Sequence, residues 1–275
     1  MKTILVPIDF SKKSEYATKL AVRIAKKTDS EIILLHMVEL PSGIIDMGAG
    51  ANFSIPSSMM YLRKVKEQII HFKDNFIPKK ILVKHSIRFQ NPHEGILDYS
   101  KKIDADLIVM GSKGVSDFDE IIIGSNTEKV VRTSLIPVIV VKKGVEKFQL
   151  KNLVFASSFK KDNIDTFKKF LGFAKKFKSK IHLLKVNTIG EFESTHISKE
   201  KINTFIANFE LPKYTINIYN DTSIVKGIIN FSKDINADLI ALSTNGRSGL
   251  SHLFNSSISK NLSKNALRPV ITFKI

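Results

Sequence analysis

The chain repeats itself, and that limits its fold more than any single motif does, because two similar stretches must fold alike. ADLIVMGSKG at 105–114 returns as ADLIALSTNG at 237–246, and PVIVVK at 137–142 returns as PVITFK at 269–274. Both pairs lie 132 residues apart. SEYATKLAVRIAKKTDSEIILLH at 14–36 aligns with NIDTFKKFLGFAKKFKSKIHLLK at 163–185, an offset of 149. The offsets differ because the first copy carries a longer stretch around 41–60. ILVPIDFS at 4–11 is set against NLVFASSF at 152–159 with one inserted residue, which places Ser157 opposite Asp9. A chain of 275 residues is therefore read as two domains, 1–144 and 150–275, with the boundary between Lys143 and Lys151.

Within each copy, short apolar runs alternate with amphipathic stretches. TILVPI at 3–8 reads as a buried strand. Residues 14–28 put Ala17, Leu20, Ala21, Ile24 and Ala25 on one helical face, with Ser11 or Ser14 as the cap. Residues 31–38 are a second strand, and 57–76 a helix turning Met60, Val65, Ile69 and Phe72 inward. Strands at 81–87, 106–110 and 137–142 follow, separated by helices at 93–103 (Pro92 just before it) and 125–134. Strands that are apolar throughout and alternate with helices predict a parallel sheet covered on both faces. Each copy is expected to be a doubly wound α/β domain with an open five-stranded parallel sheet.

Composition removes several kinds of protein. With no cysteine, the chain forms no disulfide, no Cys-ligated metal site and no thiol nucleophile. The longest apolar runs, such as 32–35 and 137–141, are strand-sized, far below the ~20 residues of a membrane helix. The N-terminus reads as a strand and not as a signal peptide, so the expected location is the cytoplasm, without membrane association. The net charge of +17 divides into +6 (22 basic, 16 acidic) for 1–144 and +11 (21 basic, 10 acidic) for 145–275. The excess is nearly all lysine and is spread along the chain, without the arginine and aromatic clusters of a nucleic-acid binder. It reads as solvated surface.

In open α/β sheets, ligands sit beyond the carboxyl ends of the strands, near the switch in strand order. Strand 1 ends in Pro7-Ile8-Asp9-Phe10-Ser11, and strand 4 in Met110-Gly111-Ser112-Lys113-Gly114. Gly111 and Gly114 would let the backbone turn and approach a ligand. Gly124-Ser125 opens a helix whose free amides and positive dipole end favour phosphate. Ser125 and Thr127 add hydroxyls, and Asp9 can accept from an adenine amino group or a ribose. The bland alternative is that the glycines serve only a turn.

At these residues the chain resembles the universal stress proteins, over its whole length as two copies. The first copy carries Pro7, Asp9 and Ser11, then Leu35-His36, then Gly111-x2-Gly114-x9-Gly124-Ser125, a spacing that marks the family's ATP-binding members. The resemblance implies a Rossmann-like fold and an adenine nucleotide: ATP, ADP or AMP, with a divalent ion such as Mg²⁺. It implies that Pro7, Asp9 and Met37 meet the adenine and ribose. Met110, Gly111, Lys113 and Gly114 would wrap the ribose and phosphates, and Gly124, Ser125, Asn126 and Thr127 would hold the phosphate tail. It also implies pairing of the last strands, 137–142 and 269–274, so that one chain imitates a homodimer. An association of two whole chains, and an unknown protein partner, stay open.

The second copy departs from the motif. Ser157 replaces Asp9, Ser243 replaces Gly111 and Ser256 replaces Gly124, whereas Gly246 and Ser257 remain. A lost charged hydrogen bond costs ~1.5–3 kcal/mol, against the ~8 kcal/mol of a micromolar site. The expectation is one nucleotide per chain, in the first copy, with a structural or differently liganded second copy. No Walker A sequence, Gly-x-Gly-x-x-Gly, GxSxG elbow or HExxH is present. Gly48-Ala49-Gly50 is read as loop or lid. His36 and His182 are read as core or strand-end residues, and His93-Glu94 as the surface start of a helix. Asp117, Asp119 and Glu120 are read as solvated charge, or as one contact to Mg²⁺. No residue stands out as a general base, so hydrolysis should be slow at most. The leading expectation is an ATP-binding sensor or regulator of the stress response. The alternatives are a nucleotide-independent interaction module and a slow ATPase.

Overall fold

The computed structural model describes residues 1–38, 55–112, 124–144, 149–244 and 268–274, with the side chains of 55–58 and 244 excepted. The first half runs β1 (Thr3–Ile8), α1 (Lys12–Thr28), β2 (Glu31–Val38), α2 (Ile55–Phe76), β3 (Val83–Phe89), α3 (Pro92–Lys102), β4 (Leu107–Gly111), α4 (Ser125–Thr133) and β5 (Val138–Val141). The second half repeats the order with β6 (Asn152–Ala156), α5 (Ile164–Phe177), β7 (Lys180–Asn187), α6 (Thr195–Ile206), β8 (Tyr214–Asn220), α7 (Ile224–Asp234), β9 (Leu239–Thr244) and β10 (Val270–Lys274). All ten strands join one sheet in the order β3-β2-β1-β4-β5-β10-β9-β6-β7-β8. Pairing is parallel within each five-strand set. The sets meet antiparallel at β5 and β10, where Val140 pairs with Val270, Ile139 with Ile271 and Val138 with Thr272.

Side-chain alternation builds the three layers. Ile4, Val6 and Ile8 of β1 point to the face covered by α1, α2, α5 and α6, and Leu5 points to the face covered by α3, α4 and α7. The first of these cores is continuous through both halves, from Ile4 to Phe273. The strand starts are stapled identically in each half. Asp106 Oδ2 accepts from the Lys2 and Thr3 amides at 2.6 and 3.0 Å, and Asp238 Oδ2 from Lys151 and Asn152 at 2.8 and 2.9 Å. Burial would push the Asp106 carboxyl up, but those two backbone donors outweigh it and hold the pKa low.

Ser11, not Ser14, caps α1: its side chain accepts from the Ser14 amide at 3.3 Å, while Ser14 Oγ donates back to the Ser11 carbonyl. Asn91 caps α3, and Pro92 occupies its first turn rather than preceding it. The third strand begins at Val83, not 81, and runs on to Phe89. Met60 is a correction: it is 73% exposed, whereas Val65, Ile69 and Phe72 are buried as expected. Five residues of helix separate Met60 from Val65, which turns it about 140° away from that stripe.

Candidate functional site

The strand order reverses beside β1: β2 and β3 lie on one side of it, β4 and β5 on the other. The crest above the carboxyl ends of β1 and β4 is therefore the crevice where this fold holds ligands. Asp9 leaves β1 there, half-buried, with Oδ1 accepting from the Ser11 amide at 3.0 Å. Phe10 follows in the left-handed region at φ 63°, strained for a residue with a Cβ. Packing holds it. Its ring lies 4.7 Å from His36 and 6.0 Å from Phe72, and His36 Nδ1 is 2.9 Å from the Ile8 carbonyl. His36 is thus a strand-end residue, as expected.

At β4, Met110 is buried and Gly111 ends the strand. A Cβ on Gly111 would stand 2.7 Å from Lys13 Cβ and 2.9 Å from the Lys13 carbonyl carbon. The first turn of α1 therefore already demands glycine here, independently of any ligand. The chain is fastened again where α4 begins. The Gly124 amide donates to Ser112 O at 2.6 Å, and the buried Thr127 hydroxyl donates to Gly111 O at 3.0 Å. Thr127 thus spends its proton on the fold. Gly124 is the N-cap of α4 and offers no side-chain cap, so Ser125, exposed, and Asn126, half-buried, open a helix whose first turn lacks one. Met37, two strands away, leans on α3, and a Cβ at Gly95 would collide with its methyl group. Pro7 sits within β1, paired with Leu35. Lys113, Gly114, Asp117, Asp119, Glu120 and the Gly48-Ala49-Gly50 stretch lie outside the described residues.

One residue escaped the sequence reading. Lys142, just past β5, is only 9% exposed. Burial, then the neighbouring Lys13 charge, lowers its pKa to about 8. β5 pairs with β4 up to Val141 and Gly111, and Lys13 packs its Cβ and backbone against Gly111, so two mutually repelling lysines, Lys13 and Lys142, lie at the Gly111 end of the crest. A lysine closing an apolar strand carries no sequence signal of burial.

The second half corrects the alignment. Ala156 pairs with Leu184 as Pro7 pairs with Leu35, and Phe159 (φ 56°) repeats the left-handed Phe10. The offset of 149 therefore continues without an insertion. Ser158, not Ser157, stands opposite Asp9, and the charge is still lost. Ser243 does stand opposite Gly111, and its hydroxyl donates to Asn163 Oδ1 at 2.6 Å. A side chain fits because a 3-10 turn, Lys161–Asn163, replaces the first turn of the helix and α5 starts later. Gly246, Ser256 and Ser257 lie outside the described residues. His182 is a buried core residue, bonded to Thr215 Oγ1 and Asn152 Oδ1 at 2.8 and 3.3 Å, and burial lowers its pKa. Among the described residues no group of three or more His, Asp or Glu could hold a metal, and no helix is long and apolar enough to cross a membrane.

Strand order, crest and repetition together define a tandem doubly wound α/β protein. A model of the universal stress protein family matches residues 1–142, and the chain belongs to that family. Two proteins of Methanocaldococcus jannaschii are similar to it. Universal stress protein MJ0531 is 30% identical over 149 residues, 52% of this chain and 82% of that protein. Universal stress protein MJ0577 is 32% identical over 155 residues, 52% of this chain and 95% of that protein. The likeness in fold extends through both halves. A crystal structure of a universal stress protein from Archaeoglobus fulgidus covers 99% of this chain and 96% of its own, with a TM-score of 0.69 at 21% identity.

Proposed function

We propose that the chain is an ATP-binding regulator of the stress response, acting in the cytoplasm, with a single nucleotide in the domain of residues 1–144. The domain of residues 150–275 has lost the motif and serves as a built-in partner. The observation that carries this reading is the anion-favouring end of the first crest. The α4 N-terminus lacks a side-chain cap and is fastened to the exit of β4, the strand end where Lys13 packs and Lys142 follows β5. Ser125 and Asn126 would present amides to the phosphate tail, and Mg²⁺ would be carried by the phosphates. Asp9 keeps one carboxylate oxygen engaged with the helix cap and would offer the other to ribose or adenine. Met37 would border the base. The sequence singles out no general base, so positioning alone would permit slow hydrolysis at most.

The test begins with protein purified without added nucleotide, denatured, and assayed by chromatography for released ATP or ADP. One equivalent per chain is expected, together with its loss in Gly124→Leu, whose side chain would stand where phosphate must approach. Absence of nucleotide, followed by no heat of ATP binding in the presence of Mg²⁺, would overturn the reading in favour of a nucleotide-independent interaction module. ATP turnover that vanishes in Asp9→Ala would instead add a slow ATPase to it.

A further inference from the structure

The crest of the second half opens into a cavity of about 1560 Å³ over the ends of β6, β7 and β9. It sits at the second reversal of strand order, the counterpart of the first crest, but its chemistry differs. Two of the three serines on its floor are occupied: Ser157 Oγ accepts from the Phe159 amide at 3.0 Å, and Ser243 Oγ donates to Asn163. Ser158 brings no charge to the place of Asp9. An apolar stretch of the lining is formed by Leu184, Val186 and Leu242 from the strands, Phe205 from α6 and Ile228 from α7, with charged and polar side chains beside it.

The rim mixes apolar and charged side chains. Phe192 is 72% exposed, and Ile197 and Ile224 are each 47% exposed, so large apolar side chains meet water on both sides of the opening. One wall is fastened. The Glu193 carboxylate accepts from Lys185 and Lys201, and its backbone carbonyl accepts from Asn187 Nδ2 at 2.9 Å. Among the described residues, charge at the cavity is unbalanced, with five lysines against three glutamates. Lys160 and Lys161 stand exposed at the turn after β6, where they border the opening.

We propose that this cavity binds an amphipathic anion of the fatty-acid type, with its alkyl chain against the apolar walls and its carboxylate at Lys160 and Lys161. A cleft with an apolar stretch of wall and an excess of lysine suits such a ligand. The inference is independent of nucleotide binding in the first half.

Calorimetric titration of the full chain with monomeric dodecanoate tests it. Saturable binding of one equivalent is expected, unchanged by saturating Mg-ATP. Affinity should fall about tenfold in the double variant Lys160→Glu/Lys161→Glu, and by a similar factor when 1-dodecanol replaces the carboxylate. Ser158→Trp, at an exposed position on the floor, should block binding by filling the cavity while leaving the fold intact by circular dichroism. No saturable binding, equal affinity in the lysine double variant, or displacement of dodecanoate by a second equivalent of ATP would each overturn the proposal.

Discussion

Gly111 illustrates how a residue singled out for a ligand can have a second physical reason to be what it is. Its missing Cβ makes room for Lys13 in the first turn of α1. Gly111→Ala should therefore destabilise the protein by ~1–3 kcal/mol even without nucleotide, because backbone must move to admit the methyl group. Urea denaturation of nucleotide-free protein measures this, and an unchanged midpoint would show that the turn yields freely. The second half supports the argument from the other side. There the first helical turn becomes a 3-10 turn, and Ser243 is accommodated with a hydrogen bond to Asn163. Phe10 and Phe159 make a related point. Nothing in the sequence marked their left-handed backbone, which is imposed by the sharp strand-to-helix exit.

At the scale of elements, β7 and α6 are joined by the Glu193 cluster. Hydrogen bonds from Lys185, then Lys201, lower the Glu193 pKa to about 2, from an ordinary 4.5. A folded-state pKa below the unfolded one means that the contribution is fully present above the unfolded value. It is lost as pH falls through about 2. Water reaches this group, so Glu193→Gln should cost only ~1 kcal/mol at neutral pH. The wild-type advantage in urea midpoint should be present at pH 7 and close on acidification toward pH 2. A gap that stays constant with pH would mean that the cluster holds by packing and not by charge. Most element boundaries were legible because apolar periodicity and Pro, Asn and Ser caps are local signals. Met60 is the exception: its five-residue spacing from Val65 already turns it off the stripe, but an apolar residue at a helix start reads as core.

For the whole molecule, the decisive contact is the antiparallel pairing of β5 and β10. Its register centres on Ile139 and Ile271, which are equivalent residues of the two copies, while Val138 and Val140 meet Thr272 and Val270. The junction is therefore an internal two-fold, the geometry of an isologous interface. A chain cut to residues 1–144 would leave the apolar β5 edge unpaired. It should dimerise through β5 in the same register, as sedimentation equilibrium would report. A stable monomer would show that the edge is tolerated in water.

The sequence by itself determined the duplication, the alternation of strands and helices, the doubly wound class and the family resemblance. All of these follow from local periodicity and from residues at fixed spacing. It also pointed to Asp9, Gly111 and Gly124 as residues of the crest. Tertiary structure decided what depends on neighbours distant in the chain. It set Ser158 rather than Ser157 opposite Asp9 through strand register, and it gave Gly111 a packing partner in Lys13. It buried Lys142 and lowered its pKa, and it opened a cavity under the second crest. Register, burial and cavities arise only when separate elements meet, so no single stretch of sequence encodes them.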